Sequence, residues 1–174
     1  NYTKAADGLR QILWGLFKKI VIADNCSLIV NSIFLNYQYE DSLTLCLGIF
    51  LFLFQVYCDF SGYSDIAIGL GRLFGFNLMK NFDFPFFSRD LPEFWKKWHI
   101  SLTSWFVDYV YIPLGGSRNG LKAKVRNVLI IFLVSGFWHG ANWTFIFWGA
   151  LCGLVQIPYL LLGQNGRYET YVAK

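Results

Sequence analysis

One histidine stands in the middle of a long uncharged stretch. His139 lies in the segment GFWHGANW, and its nearest formally charged neighbours along the chain are Arg126 and Arg167. A polar group inside a bilayer is unfavourable unless it finds partners or water, so such groups often mark functional sites. An imidazole titrates near neutral pH and can accept a proton from a reacting hydroxyl. We therefore predict a chemical role for His139; the alternative is a hydrogen-bonded histidine that merely fills space.

The second histidine, His99, lies in the segment KKWHISLTSW. Two histidines with a third ligand from Asp59, Asp65 or Asp108 would suit zinc, but no spacing typical of a zinc site joins them. A pair that acts as a general base or handles protons fits these residues better, and no metal is expected. The alternative for His99 is an interfacial residue on an amphipathic helix.

A third group of polar side chains lies in the segment DFSGYSD, which holds Asp59, Ser61, Ser64 and Asp65. Serine and aspartate can line a polar passage between helices. They can also cap a helix, and Asp65 precedes the apolar run IAIGLG as an N-cap would. The sequence leaves both interpretations open.

The composition is that of an integral membrane protein. Hydrophobic residues make up 55% of the 174 residues and charged residues only 15%, against about 25% in soluble domains. The net charge of +4 comes from short basic clusters at the ends of apolar runs, not from the broad basic face that nucleic-acid binding needs. The four cysteines show no paired spacing, so neither a disulfide framework nor a zinc site is expected. Because the chain begins without a methionine or a signal peptide, we interpret it as an internal piece of a longer multi-pass protein.

Apolar runs cover most of the first half. Residues 10–35 predict two short helical pieces, or one helix whose polar edge faces other protein. Residues 42–58 are charge-free and approach the ~20 residues that cross a bilayer. Residues 59–76 carry acids and an arginine, so we place them inside a helical bundle. Close helix packing is predicted there at the small residues that recur every four positions, Ala67, Gly71 and Gly75.

The second half begins with an aromatic loop, residues 77–93, which is expected to lie along the membrane interface. Residues 93–116 show apolar and polar faces at helical spacing, which predicts one amphipathic helix ended by proline and glycine. Residues 127–166 hold no formal charge over forty positions, enough for two spans. The Gly-Ala-Asn at 140–142 is expected to break the helix between them.

Four ordered segments resemble one protein family. They are GLRQILWGLFKKIVIADN at residues 8–25, then YCDFSGYSDIAIGLGRLFGF, NFDFPFFSRDLPEFWKKWHISLTSWFVDYVYIPLGG and GFWHGANWTFIFWG within about residues 55–153. Together they resemble the membrane-bound O-acyltransferase family, and within it the alginate O-acetylation branch. Val107 departs from the pattern, since that branch commonly has an arginine there, so an ion pair from this position is not expected.

The resemblance implies an all-α, multi-pass transmembrane protein with a central tunnel, accompanied by amphipathic or interfacial helices. Residues 1–174 would then belong to a single membrane-embedded domain that lacks both ends of the full-length protein. The implied location is the cytoplasmic (inner) membrane of a bacterium.

The same resemblance implies transfer of acetyl groups from a cytoplasmic thioester, acetyl-CoA or an acyl carrier protein, toward hydroxyls of an extracytoplasmic polysaccharide. No bound cofactor is implied. A separate secreted or membrane-anchored acetyltransferase is the expected partner, in addition to the lipid bilayer and the polysaccharide.

The family's two characteristic histidines fall on His139 and His99. His139 is the expected general base, and His99 would orient the acceptor, stabilise developing charge or carry an acyl group. Five further residues are candidates for substrate binding: Asp59, Ser61, Asp65, Trp138 and Asn142. For Trp138 the alternative is a role in packing.

Three alternatives stand beside this function. A sister branch of the family transfers D-alanyl groups to teichoic acid. A transporter or channel would use Asp59, Asp65 and the small residues as a translocation path, but it explains neither tryptophan–histidine motif. A scaffold would recruit a separate acetyltransferase and perform no chemistry itself.

Overall fold

The computed structural model describes residues 2–163 and forms two compact units, one ending at Asn81 and the other beginning at Phe82. Within residues 2–163 the chain forms seven α-helices with short π- and 3₁₀-helical turns, and no β-strand. The prediction of an all-α fold is therefore confirmed for the described residues.

The first unit opens with one long helical rod. α1 (Tyr2–Leu16) continues through a π-helical turn (Phe17–Ala23) into α2 (Asp24–Leu35). The residues at both junctions keep right-handed helical φ and ψ, so the backbone never leaves the helix. Of the two interpretations of residues 10–35, the single helix is the one observed.

α3 (Ser42–Leu73) is the longest of the described helices and follows a turn at residues 36–41. It begins where Asp41 acts as N-cap, since the carboxylate accepts a hydrogen bond from the Thr44 amide at 2.7 Å. α3 contains both the predicted span and the polar segment after it. Asp65 therefore lies deep inside α3, and its interpretation as an N-cap is wrong.

Glycines bring α1 and α3 into backbone contact at two levels. A Cβ built on Gly62 would lie 2.7 Å from the Gly15 carbonyl oxygen, and one on Gly69 would lie 2.5 Å from that of Gly8. Contacts this short leave no room for a side chain on either helix. The seven-residue spacing on both helices repeats the contact after two turns, as it does in helices that pack nearly in line.

The predicted small-residue stripe of Ala67, Gly71 and Gly75 does not make this contact. Gly71 faces a side chain of the following segment, and Gly75 lies beyond the end of α3 with a φ of 88°. Gly62 and Gly69 match α1 because the glycines of α1 also recur every seven residues. Close packing through small residues is correctly predicted, but Gly71 and Gly75 are not the residues that make it.

The second unit begins with an irregular segment that contains a 3₁₀ turn (Pro85–Phe87) and then enters α4 (Leu91–Lys97). Asp90 caps α4 by accepting the Glu93 amide at 2.7 Å, and the Glu93 carboxylate accepts the Arg89 amide at 3.0 Å. Together with a 2.9 Å ion pair to the last residue of α4, that hydrogen bond lowers the pKa of Glu93 to about 2. The start of this helix is therefore well fixed.

The prediction of one continuous amphipathic helix is wrong, because the chain breaks between α4 and α5 (Ile100–Phe106). Trp98 is extended, and His99 adopts a left-handed backbone with a φ of 46°. A right-handed helix does not pass through a left-handed residue, so the amphipathic pattern continues on a separate helix. α5 runs into a π-helical turn (Val107–Tyr111), and two consecutive glycines with positive φ follow it.

The last two helices within residues 2–163 follow one another closely. α6 (Gly120–His139) and α7 (Trp143–Leu161) are separated by residues 140–142, where the sequence predicts the break. Asn127, fully buried near the start of α6, donates to two carbonyls of the preceding turn at 3.2 and 2.9 Å. These bonds fix the turn against the helix that it enters.

Within residues 2–163, α3 and α7 are long and apolar enough to cross a membrane. α6, expected as a second span of the uncharged region, begins inside the basic cluster and carries three cations in its first two turns. Many large apolar side chains of both units are exposed on the chain itself, which fits surroundings of lipid or further protein. All four cysteines are free thiols.

Gly69→Ala is expected to destabilise the packing of α1 on α3, because its methyl group would meet the Gly8 carbonyl oxygen at 2.5 Å. Gly71→Ala is the matched control on the same helix, where the methyl group meets the movable Leu78 side chain at 3.1 Å. Overpacking costs about 1–3 kcal/mol, so Gly69→Ala should lower the thermal unfolding temperature of the full-length protein in detergent more than Gly71→Ala does. Equal unfolding temperatures for the two variants would contradict the glycine contact.

Candidate active site

The two histidines occupy helix ends in the second unit. His139 is the last residue of α6, and His99 is the left-handed residue between α4 and α5. Both therefore lie where a regular helix has just stopped, not on a continuous helical face. His99 is partly buried, whereas His139 is exposed on the described chain.

Trp138 lies near both histidines. Its ring centroid is 6.0 Å from that of His99 and 5.0 Å from that of His139. The indole is 56% exposed, so part of its surface is accessible beside the two imidazoles. Three of the predicted site residues thus meet in the second unit, and we call His99, Trp138 and His139 the histidine site.

Two aromatic rings of α7 lie against His139. Trp148 meets the imidazole edge to face at 5.1 Å with an interplanar angle of 90°, and Phe145 lies nearly parallel to it at 6.5 Å. Trp95 of α4 contacts Trp148 at 6.3 Å, which links the helix before His99 to the helix beside His139. Sequence reasoning missed these rings, because aromatic residues are frequent throughout the chain and no spacing distinguishes them.

Glycines set the position of the His139 ring. A Cβ on Gly136 or on Gly149 would collide with the backbone of the facing helix, so α6 and α7 pack backbone to backbone. A Cβ on Gly140 would lie 2.6 Å from the Phe145 ring. The glycine of the Trp-His-Gly motif therefore makes room for the aromatic ring that lies beside the histidine.

The surroundings of His99 favour its neutral form. Burial, and to a smaller extent the neighbouring His139 imidazole, lower the pKa of His99 to about 4, since both penalise a charged imidazolium. At neutral pH His99 is therefore unprotonated and keeps one ring nitrogen that can accept a hydrogen bond.

Asn142 caps α7. Its side-chain oxygen accepts a hydrogen bond from the Thr144 amide at 3.1 Å, which satisfies an amide of the first turn. Asn142 is also exposed, three positions after His139. The cap is a structural reason for an asparagine at this position, and the predicted substrate contact stays a prediction.

The polar residues of α3 bind the helical rod of the first unit. The Lys18 ammonium lies 2.5 Å from an Asp65 carboxylate oxygen and donates to the Ser61 hydroxyl at 3.0 Å. Gln11 donates to the other Asp65 oxygen at 3.0 Å. Lys18 is only 8% exposed and the Asp65 side chain 21%, so the lysine is shielded from water and its charge depends on the carboxylate.

The neighbouring Lys19 binds two carboxylates nearer the surface. It contacts Asp24 at 2.8 Å and Asp59 at 2.7 Å, and these hydrogen bonds raise the pKa of the ammonium group. Consecutive lysines both reach α3 because a π-helical turn rotates the chain by less per residue than an α-helical turn does. In the sequence these lysines stand out only as interruptions of an apolar run.

The predicted site residues thus divide between the two units. Those of the first unit contact lysines, and their role in substrate binding stays a prediction. Within residues 2–163 no group of three His, Cys, Asp or Glu side chains is placed to bind a metal ion. The first unit holds Asp59, Ser61 and Asp65, and the second holds His99, Trp138, His139 and Asn142.

Two helices within residues 2–163 that are long and apolar enough to cross a membrane, and two histidines near one tryptophan, indicate a helical membrane protein with an imidazole site. The model of the membrane-bound O-acyltransferase family, MBOAT, matches residues 2–168. The chain therefore belongs to this family, and the resemblance found in its motifs is confirmed. Its assignment to a membrane is confirmed as well, since the family is membrane-bound and α3 and α7 are long and apolar enough to span.

The chain is similar in sequence to relatives that carry three different names. The chain is 46% identical over 152 residues to a probable alginate O-acetylase of Azotobacter vinelandii, a match that covers 86% of the chain and 30% of the relative. It is 43% identical over 159 residues to a peptidoglycan O-acetyltransferase of Helicobacter pylori, with 88% and 29% covered. It is 41% identical over 108 residues to a teichoic acid D-alanyltransferase of Streptococcus thermophilus, with 58% and 26% covered. The chain thus spans less than a third of the length of these relatives.

Asp65→Asn is expected to destabilise the first unit, because it leaves the Lys18 ammonium buried without its counter-charge, a change that costs about 3–5 kcal/mol in other buried pairs. The double variant Lys18→Met with Asp65→Leu removes both charges and should restore most of the stability. Thermal unfolding of the full-length protein in detergent measures this difference.

The acyl-transfer activity of the double variant separates two roles of Asp65. If the carboxylate serves packing alone, stability and activity return together. If it also binds substrate, stability returns without activity. A single Asp65→Asn variant as stable as the wild type would contradict the buried ion pair.

Proposed function

We propose that the full-length protein is a membrane O-acyltransferase that moves acetyl groups from a cytoplasmic thioester toward hydroxyls of an extracytoplasmic polysaccharide. The histidine site carries the proposal, because the only two histidines of the chain, far apart in sequence, approach the same tryptophan ring. Family membership supports acyl transfer as the chemistry. The names of two relatives, an alginate O-acetylase and a peptidoglycan O-acetyltransferase, support an acetyl group and a polysaccharide acceptor.

The proposed task of His139 is to remove the proton of the acceptor hydroxyl. A thioester is already activated, so the main requirement is a more nucleophilic oxygen. As the imidazole takes the proton, the oxygen attacks the acetyl carbonyl, a C–O bond forms and the C–S bond breaks. The imidazolium then returns the proton to the departing thiolate. General-base catalysis of this kind contributes about 10²–10⁴ in rate.

His99 is proposed to assist this base. Its lowered pKa keeps the imidazole neutral, so a ring nitrogen can form a hydrogen bond either with the acceptor hydroxyl or with the thioester carbonyl oxygen. The first use orients the nucleophile, and the second stabilises the developing negative charge. The exposed Trp138 ring and the exposed Asn142 side chain are proposed as further acceptor contacts.

Among the polar residues of the first unit, Asp59 is the best candidate for a substrate contact. Its side chain is 52% exposed even while it pairs with Lys19. Ser61 and Asp65 are bound by Lys18, so they would reach a substrate only if this lysine released them.

We further propose a multi-pass protein of the bacterial cytoplasmic membrane, with the histidine site in a central tunnel. A tunnel would let a donor from the cytoplasm and an acceptor from outside reach the same imidazole. The donor is acetyl-CoA or an acetylated acyl carrier protein, used as a co-substrate and not as a bound cofactor. A secreted or membrane-anchored acetyltransferase is proposed to complete the transfer to the polymer.

D-alanyl transfer to teichoic acid is the second candidate, favoured by the 41% identity to the streptococcal D-alanyltransferase. The bond changes would be the same, with a D-alanyl thioester in place of the acetyl thioester. The two O-acetylating relatives combine identities of 46% and 43% with coverage of 86% and 88% of the chain, whereas the 41% match covers 58%, so acetyl transfer is preferred.

His139→Ala in the full-length protein is expected to lower acetylation of the polymer by about 10²–10⁴-fold, because the general base is lost. The amount of protein in the membrane should not change, since His139 is an exposed residue at a helix end. Phe137→Leu is the matched control on the same helix, where the side chain is also exposed. The measurement is incorporation of labelled acetyl groups into polymer by membranes that contain each variant.

Acetylation at the wild-type rate by His139→Ala would overturn the catalytic role of this histidine. A scaffold or a transporter would then describe the protein better, because neither requires acyl-transfer chemistry at His139. Equal losses in His139→Ala and Phe137→Leu would also contradict the proposal, since the two substitutions would then act only through the helix.

The choice of donor separates acetyl from D-alanyl transfer. Membranes that contain the full-length protein are given labelled acetyl-CoA, labelled acetylated acyl carrier protein, or a carrier protein charged with labelled D-alanine. We expect polymer labelling from an acetyl donor and none from the D-alanyl carrier, with His139→Ala membranes as the background. Labelling from the D-alanyl carrier alone would replace the acetyl assignment by the sister function.

A further inference from the structure

We propose that Thr103 is the positioning residue of His99, because its hydroxyl holds the helix break that orients the His99 imidazole. This inference rests on the proposed acyl-transfer function, since it assigns a supporting role within the same site. Thr103 lies one turn into α5, and its side chain reaches back to the end of α4.

α4 ends with carbonyl groups that the break deprives of helical donors. In an α-helix each carbonyl accepts from the amide four residues later, and the last four carbonyls lose that partner. The Thr103 hydroxyl oxygen lies 3.3 Å from the Trp98 carbonyl oxygen and 3.5 Å from that of Trp95. The Thr103 hydroxyl therefore contacts both a carbonyl of the last turn of α4 and the carbonyl directly before His99.

Two other contacts also fix this helix end. The Asp83 amide, in the loop before α4, donates to the Lys97 carbonyl at 3.0 Å. The Trp98 ring stacks on Phe94 with centroids 5.5 Å apart. The residues before the break are thus held by their own loop and helix, and the Thr103 hydroxyl ties them to α5.

The backbone of His99 depends on this support. A left-handed conformation is unfavourable for a residue with a Cβ atom and persists only where surrounding contacts fix it. The Thr103 amide donates to the His99 carbonyl at 3.0 Å, so Thr103 binds the break with its backbone and its side chain. The φ of 46° at His99 sets the direction of the Cα–Cβ bond and hence of the imidazole.

Loss of the hydroxyl would change the geometry of catalysis more than the binding of substrate. Without it the carbonyls of Trp98 and Trp95 lose their contact with α5, and the angle between α4 and α5 can shift. A reacting group displaced by about 1 Å can cost 10²-fold in rate. The expected signature is a lower kcat with an unchanged KM for the donor.

Two substitutions at Thr103 isolate the hydroxyl. Thr103→Val removes it and keeps the shape of the side chain, whereas Thr103→Ser keeps it and removes a methyl group. We expect Thr103→Val to lower kcat about ten-fold with little change in KM, and Thr103→Ser to stay near the wild type. Full-length variants in membranes are assayed over a range of concentrations of the donor that labels the polymer, acetyl-CoA or acetylated acyl carrier protein.

Ser104→Ala is the matched control, because it removes a hydroxyl from the next residue of α5. In the part of the chain that the structure describes, the Ser104 hydroxyl makes no hydrogen bond to the carbonyls of α4. An unchanged kcat in Thr103→Val, or an equal loss in Thr103→Ser or Ser104→Ala, would overturn the positioning role. A smaller amount of Thr103→Val in the membrane with normal kcat per molecule would overturn it too, since the hydroxyl would then serve stability alone.

His139→Ala, assayed in parallel, separates the two levels of inference. If it keeps wild-type activity, the acyl-transfer function itself fails, whatever the Thr103 variants do. If His139→Ala is inactive and Thr103→Val is normal, only the role of Thr103 fails.

Discussion

Close contact between helix backbones at glycine is the constraint on which both units depend. Apolar helices gain little from burying one another in lipid, so their association relies on contacts that bring backbones near. Gly15 faces Gly62 in the first unit, and Gly136 faces Gly149 in the second. Such contacts also fix how far one helix slides along the other. In the second unit that register decides which rings of α7 lie beside His139 at the end of α6.

The predicted site residues of the two units differ in the charge state of their ionisable side chains, which are paired ions in the first unit and a neutral imidazole in the second. Lys18 is buried and pairs with the partly buried Asp65, so each charge is balanced by the other and by neighbouring polar groups. His99 instead stays uncharged, because burial lowers its pKa, and its ring lies 6.0 Å from the Trp138 ring. A neutral imidazole can accept a hydrogen bond from a hydroxyl. The proposed chemistry therefore uses the second unit, whereas the polar residues of the first unit bind lysines.

The sequence predicts elements that have a local sequence pattern, but it does not predict those that depend on contacts between distant residues. The break at 140–142 follows from a Gly-Ala-Asn inside an apolar run, and motif resemblance identified both histidines. The kink at His99 was not predictable from periodicity, because a left-handed residue that is not glycine leaves no compositional signal. The partner of Asp65 was missed for another reason: Lys18 lies on a different helix, and no local rule connects the two. Thr103 was not among the predicted site residues, because one continuous helix was expected where α4 ends.

The π-helical turn (Phe17–Ala23) affects how this chain can vary over evolutionary time. A π-helical turn holds one residue more than an α-helical turn. A gene that lost one codon here would encode an uninterrupted α-helix, and the residues on both sides of the deletion would keep their faces toward α3. The same loss in an α-helical part of the rod would rotate every later side chain by about 100° around the axis. The π-helical turn is therefore the place in this rod where the chain can lose a residue and keep the packing of α1 and α2 on α3.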